Sequence, residues 1–100
     1  MELLKNKSAI VTGGGRGIGR GHCLHLAKSG ASVLINDIDI EESKKVAAEI
    51  NELGGIAQIS SQDISSRKGS EMLINECKEH FHSIDILVNN AGILRDKSFL

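Results

Sequence analysis

Apolar and polar positions follow two periodicities along this chain, and the change of period divides it into seven segments. Short apolar runs at Ser8–Thr12, Ser32–Asn36, Ile56–Ser60 and residues 84–89 are typical of buried strands. Between these runs, apolar residues recur every three or four positions, as they do on one face of a helix. The pattern therefore predicts the order β-α-β-α-β-α-β, with no linker, low-complexity tract or repeat.

End signals mark each predicted helix. The first covers residues 17–29 and ends at Gly30, a residue type that favours the position just after a helix. Asp39 followed by Glu42 resembles a capping box and opens the second helix. Ser66 is placed to cap the third. These boundaries leave short connections between the elements.

Strands that alternate with helices of this length predict a parallel sheet with right-handed crossovers and helices on both faces. We therefore expect an α/β fold in which residues 1–100 form one domain with strand order 3-2-1-4, as in half of a doubly wound sheet. Gly21 interrupts the first helix, at a cost of about 0.5–1 kcal/mol relative to Ala. We expect this glycine to permit close packing on the sheet.

Composition excludes several classes of function. The net charge is -1, so there is no basic surplus to attract nucleic acid. The sequence has no apolar run long enough to predict a membrane span. The two cysteines lie in helical segments, which indicates free thiols in a reducing compartment, the cytoplasm or another such as the peroxisome. The four histidines form two close pairs without a third ligand, so no metal site is predicted.

The segment 11–21, VTGGGRGIGRG, contains six glycines between a strand and a helix. Backbone N–H groups at a helix N-terminus bind phosphate, and glycine lets a pyrophosphate approach the backbone. The spacing fits neither a P-loop, which needs Gly-Lys-Ser/Thr, nor G-x-G-x-x-G, but it does fit T-G-x-x-x-G-x-G. The alternative is a glycine-rich turn that binds nothing. The predicted cofactor-binding residues here are Thr12, Gly13, Gly15, Arg16, Gly17, Ile18 and Gly19.

Asp37 ends the second strand, 18 residues beyond Gly19. Dinucleotide-binding units carry an acid about 20 residues on, where it binds the adenine ribose hydroxyls. A carboxylate there repels a 2′-phosphate by about 1–4 kcal/mol at a separation of about 4 Å. Asp37 therefore favours NAD over NADP, although Arg16 could pair with a 2′-phosphate. The alternative roles for Asp37 are a turn residue or the N-cap of the next helix, of which Asp39 fits the second better.

Two further motifs complete the pattern: Asp63-Ile64 after the third strand, and NNAG at residues 89–92 after the fourth. Together these motifs resemble the short-chain dehydrogenase/reductase family over essentially the whole chain. The resemblance implies a Rossmann-like fold, adenine contacts from Asp63 and Ile64, and cofactor contacts from Asn90, Ala91 and Gly92. From spacing alone, Asp63 is equally well explained as an acid in a strand-to-helix turn.

The segment 89–99, NNAGILRDKSF, is similar to 3-oxoacyl carrier-protein reductases and multifunctional hydroxyacyl-CoA dehydrogenases. The family transfers hydride between a nicotinamide and an alcohol or carbonyl carbon, using a Tyr-x-x-x-Lys pair, a serine and an asparagine. The chain contains no tyrosine. We therefore expect a cofactor-binding part, truncated before the catalytic half, inactive alone, and a dimer or tetramer when complete. The alternative is a stand-alone nucleotide-binding or regulatory module.

Overall fold

The computed structural model describes residues 2–90, in which four strands alternate with three helices. The elements are β1 (Ser8–Thr12), α1 (Gly17–Lys28), β2 (Ser32–Asn36), α2 (Ile40–Glu52), β3 (Ile56–Ser60), α3 (Arg67–Phe81) and β4 (Ile86–Asn89). All three strand pairings are parallel, in the order β3-β2-β1-β4. This architecture confirms the predicted α/β class, the Rossmann-like topology and the strand order 3-2-1-4.

Helices cover the sheet on both faces because successive side chains of a strand point to opposite sides. On one face, Val11, Val33 and Ile35 pack with α1 and α2. On the other, Ile10 and Leu34 pack with α3. All five are completely buried. Burying a side chain of this size contributes about 1.5–3 kcal/mol, so β1 and β2 hold the two layers together.

The predicted caps of α2 and α3 are present. Asp39 Oδ1 accepts the Glu42 N–H at 3.2 Å, and Ser66 Oγ accepts the Gly69 N–H at 2.9 Å. The carboxylate of Glu42 pairs with Lys45 Nζ at 3.3 Å instead of bonding back to the cap. The capping box at the start of α2 is therefore only half formed.

Strand β4 begins two residues later than the apolar pattern predicts. The N–H of Ser8 donates to Asp85 Oδ2 at 2.8 Å, and the Asp85 N–H donates to the Ser8 carbonyl at 2.9 Å. A side-chain oxygen thus takes the place of a backbone carbonyl at this end of the ladder. Regular pairing with β1 therefore starts at Ile86, which is opposite Ala9.

The expectation that Gly21 permits close packing on the sheet is wrong. Gly19, Cys23 and Ala27 form the buried face of α1, and Gly21 lies on the opposite, exposed face. Outside the backbone of the helix itself, nothing in residues 2–90 lies within 4 Å of a Cβ placed on Gly21.

The two cysteines are free and buried on opposite faces of the sheet. Cys23 belongs to the layer of α1 and α2, and Cys77 belongs to the layer of α3. Within the described part of the chain, no three potential ligand side chains are grouped to hold a metal ion. No helix in residues 2–90 is both long enough and apolar enough to span a bilayer.

Candidate functional site

The carboxyl ends of the four parallel strands meet at one edge of the sheet, and polar residues end each strand there. Thr12 is in register with Asn36 and Asn89, and Asn36 is in register with Ser60. The Thr12 hydroxyl donates to Asn89 Oδ1 at 3.0 Å. In open α/β sheets, ligands bind outside this edge. The predicted site residues of the described chain lie on this row of strand ends, in the turns that follow it, or in the first turn of α1.

At Gly19 the glycine loop packs against itself too closely to admit a side chain. A Cβ on Gly19 would stand 1.9 Å from the Gly13 carbonyl oxygen and 2.9 Å from Asn90 Nδ2. That Asn90 amide donates to the same carbonyl at 3.4 Å, which joins the loop to the end of β4. Gly13 and Gly17 have φ values of 64° and 60°, a region that favours glycine. Glycine is therefore needed at these positions for close approach and for backbone conformation.

Asp37 fixes the other side of this loop. Its Oδ2 accepts the Gly15 N–H at 3.0 Å, and its Oδ1 accepts the Asp39 N–H at 3.0 Å. A Cβ on Gly15 would stand 2.9 Å from Asp37 Oδ2. The half-buried carboxylate is thus held between the glycine loop and the start of α2. Each carboxylate oxygen has a second lone pair, so this arrangement leaves acceptor capacity for a ribose hydroxyl.

Helix α1 presents its N-terminus at the same edge. Arg16 occupies the cap position and makes no side-chain hydrogen bond that caps the helix. Apart from its chain neighbours and the backbone of α1, no described atom lies within 4 Å of a Cβ placed on Gly17, and Ile18 is 73% exposed. The first N–H groups of a helix lack intrahelical partners, and the helix dipole favours an anion beside them. The open space and these donors fit the pyrophosphate of a dinucleotide.

Arg16 itself turns toward α2. Its Nη2 lies 2.7 Å from Asp39 Oδ2, with the two side chains 68% and 32% exposed. The sequence pattern placed Arg16 beside a possible 2′-phosphate and treated Asp39 as a helix cap. The structure joins the two residues in an ion pair next to Asp37.

The turn after β3 shows what Asp63 does within the chain. Its Oδ1 accepts the Ser65 hydroxyl at 2.6 Å and the Ser65 N–H at 2.9 Å, and these bonds hold the pKa of Asp63 below its usual range. These contacts are those of a turn acid, and an adenine contact stays a prediction. The Ile64 side chain is buried against α3, so a ligand at this edge could meet only its backbone. Ala91 and Gly92 lie outside the described residues.

Asn36 is a site residue that the sequence pattern did not single out. It is 3% exposed, and its Nδ2 donates to the Gln62 carbonyl at 3.0 Å. The backbone carbonyl of Asn36 accepts the Gly14 N–H at 3.1 Å. One residue thereby ties the glycine loop to the turn after β3. The signal was an amide at the end of a β-branched run, SVLIN, where an apolar residue would continue the strand.

Cys23 lies directly beneath the loop. Its Sγ is 3.7 Å from the Gly14 carbonyl oxygen, and a Cβ on Gly14 would stand 2.9 Å from that sulfur. Burial raises the pKa of the Cys23 thiol to about 12. The thiol therefore supports the loop by packing and remains protonated at neutral pH.

The fold and the glycine loop define a Rossmann-like dinucleotide-binding unit. The family model for short chain dehydrogenases matches residues 7–100, and the chain belongs to this family. Among curated relatives, the peroxisomal hydratase-dehydrogenase-epimerase of Saccharomyces cerevisiae is 44% identical over 102 residues. That alignment covers 100% of this chain and 11% of the relative.

Solved structures agree with this assignment. A 7α-hydroxysteroid dehydrogenase complexed with NADH and 7-oxo glycochenodeoxycholic acid superimposes with a TM-score of 0.84 at 38% identity. The match covers 88% of this chain and 35% of that structure. A short chain dehydrogenase from Mycobacterium avium gives a TM-score of 0.86 at 36% identity, and the match covers 94% of this chain and 37% of that structure. The chain therefore spans about a third of the length of these structures and corresponds to their cofactor-binding N-terminal portion.

Proposed function

We propose that the chain binds NAD as part of an oxidoreductase that transfers hydride between the nicotinamide and an alcohol or carbonyl carbon. A bound nicotinamide dinucleotide supplies or accepts that hydride. The observation that carries the proposal is the glycine loop, closed on one side by Asp37 and open at the N-terminus of α1. The family match and the NADH-bound relative support it.

Each predicted residue then has a task in holding the cofactor. Asn90 braces the loop from the end of β4, and Thr12 joins the end of β1 to the end of β4 through Asn89. The loop from Gly13 to Gly19 binds the pyrophosphate through backbone N–H groups. Asp37 binds the adenine ribose, and Asp63 with the backbone of Ile64 contacts the adenine. Asn90, Ala91 and Gly92 contact the ribose on the nicotinamide side.

We propose NAD rather than NADP because two carboxylates and one guanidinium meet at the ribose end, which leaves a net negative charge. A dianionic 2′-phosphate is repelled there, while uncharged hydroxyls are accepted.

The substrate class we propose is a 3-hydroxyacyl or 3-oxoacyl thioester. It is supported by the sequence of residues 89–99 and by relatives named as peroxisomal hydratase-dehydrogenase-epimerases. In this proposal residues 1–100 supply binding; they contain no tyrosine, so the general acid/base of the family's chemistry is not among them. We further propose a reducing compartment, since both thiols are free and several relatives are named as peroxisomal. The resemblance to the family is the basis for proposing a homo-oligomer.

Calorimetric titration of NAD⁺ into the protein at its natural length tests the site. Gly19→Ala places a methyl group against Gly13, and a loss of about 1–3 kcal/mol predicts NAD⁺ binding weaker by about 5- to 150-fold. Gly21→Ala on the same helix is the matched control and should leave Kd unchanged. Asp37→Ala should also weaken NAD⁺ binding and reduce the preference over NADP⁺.

Two results would contradict the proposal. One is equal binding by the Gly19→Ala and Gly21→Ala variants, and the other is a preference for NADP⁺ in the unaltered protein. Turnover of 3-hydroxyacyl thioesters with NAD⁺ tests the substrate class. Binding without turnover of any alcohol or ketone would favour the nucleotide-binding module.

A further inference from the structure

The contact between Arg16 and Asp39 joins two parts of the site across 23 positions of sequence. Arg16 lies inside the glycine loop, while Asp39 caps α2. Exposed ion pairs of this kind contribute about 0–1 kcal/mol to stability. Folding energy alone therefore gives no reason for the loop to carry an arginine aimed at this carboxylate.

The pair belongs to a closed ring of contacts around the ribose end. Asp39 Oδ2 accepts a hydrogen bond from the Arg16 guanidinium, and the Asp39 N–H donates to Asp37 Oδ1. Asp37 Oδ2 in turn accepts the N–H of Gly15, the neighbour of Arg16, which closes the ring. The carboxylate that caps α2 is thus also the group that holds the Arg16 guanidinium.

We propose that Asp39 is a positioning residue for cofactor choice: it occupies Arg16 and so keeps the guanidinium from pairing with a 2′-phosphate. Guanidinium groups bind phosphate through two parallel charge-assisted bonds, and a free Arg16 would offer such a pair. While Asp39 holds Arg16, the charge of Asp37 acts unopposed on the ribose substituent. This inference rests on the proposed binding of a dinucleotide at the loop.

A second ion pair provides the matched control. Arg20, one helical turn further along α1, pairs with Glu49 on α2. Both side chains are partly exposed, at 46% and 39%. The pair joins the same two helices, but it lies away from the ring at Asp37. Neutralising Glu49 therefore removes the same type of contact and the same charge without freeing Arg16.

The experiment uses Asp39→Asn in the protein at its natural length, with Kd for NAD⁺ and for NADP⁺ measured by equilibrium titration. Asparagine caps helices as well as aspartate does, so α2 keeps its first turn while the negative charge is removed. We expect NADP⁺ affinity to rise about tenfold, the gain from one charge-assisted contact, and NAD⁺ affinity to change less than twofold. Glu49→Gln should change neither Kd.

A double variant separates positioning from a simple change of net charge. In Arg16→Lys with Asp39→Asn, which has the same net charge as Asp39→Asn alone, the gain in NADP⁺ affinity should largely disappear, because lysine offers a single point charge in place of the two parallel bonds of a guanidinium. Persistence of the gain in the double variant would overturn the inference, as would an unchanged ratio of Kd values in Asp39→Asn. If the unaltered protein binds neither dinucleotide, the proposed function fails and this inference fails with it.

Discussion

Two glycines of α1 lie two positions apart in opposite surroundings. Gly21 faces open space, so Gly21→Ala removes the entropic cost of glycine and should raise the free energy of unfolding by about 0.5–1 kcal/mol. Gly19→Ala forces a methyl group against the Gly13 carbonyl and should lower it by about 1–3 kcal/mol. Urea denaturation of the two variants measures both changes.

The test is that the two variants change the free energy of unfolding in opposite directions. If both variants were destabilised equally, the exposed face of α1 at Gly21 would be covered by something outside residues 2–90. If Gly19→Ala were neutral, the close approach of Gly19 to the carbonyl of Gly13 would be wrong.

At this scale, the sequence predicts a contact well when its cause is local. Gly13, Gly17 and Gly19 could be identified because one turn between a strand and a helix fixes their spacing. The pairing of Arg16 with Asp39 could not, because it depends on how α1 and α2 lie on the sheet. The role of Asn36 was hidden for the same reason, since its partners Gly14 and Gln62 lie in turns that are distant in sequence.

At the scale of elements, the junction of β1 and β4 depends on one ionised side chain. The N–H of Ser8, with smaller contributions from the Ser83 hydroxyl and the charge of Lys7, holds the pKa of Asp85 below its usual range against an opposing desolvation. The bonds favour the charged form in the folded state. Their stabilisation is therefore present above the ordinary aspartate pKa of about 4 and is lost as pH falls through the lower folded value.

Asp85→Asn keeps an oxygen for the Ser8 N–H but cannot titrate. We expect the variant to be less stable than the unaltered protein at neutral pH and to lose less stability on acidification from about pH 5 to pH 2. Chemical denaturation across that range measures this slope, that is, how steeply the free energy of unfolding changes with pH. Glu52→Gln is the control, because Glu52 is exposed and makes neither an ion pair nor a side-chain hydrogen bond within residues 2–90. A slope equal to that of Glu52→Gln would contradict the role of Asp85.

Element boundaries show the same division between local and distant causes. Ser66 and Asp39 were identified as caps because a cap acts within three residues of itself. The start of β4 was predicted two residues early, since hydrophobic pattern cannot show that a carboxylate replaces a backbone acceptor. The strand order was predictable because short right-handed crossovers permit few arrangements.

At the scale of the whole molecule, the two thiols report on the two layers of the fold. Burial raises the pKa of Cys23 to about 12 and that of Cys77 to about 11. Alkylation requires a thiolate, so at pH 8 both should react only when the layers open. We expect Cys23 and Cys77 to be labelled together by iodoacetamide, at rates that rise with urea concentration. Mass mapping of the two peptides measures the rates.

Saturating NAD⁺ should slow this labelling. A ligand that binds only the folded state lowers the unfolded fraction by the factor 1 + [L]/Kd, about a hundredfold at 100 times Kd. Labelling of Cys23 in the native protein that is fast and independent of urea would show that the α1 layer opens separately, contrary to this expectation.

The glycine loop is fastened by the protein's own groups, through contacts with Asp37, Asn36 and Asn90. A phosphate that arrives there meets donors already in place, so association spends little entropy on ordering the backbone. The calorimetric consequence is that the heat capacity change of NAD⁺ binding should reflect the surface covered by the cofactor, without the larger negative contribution that accompanies folding upon binding.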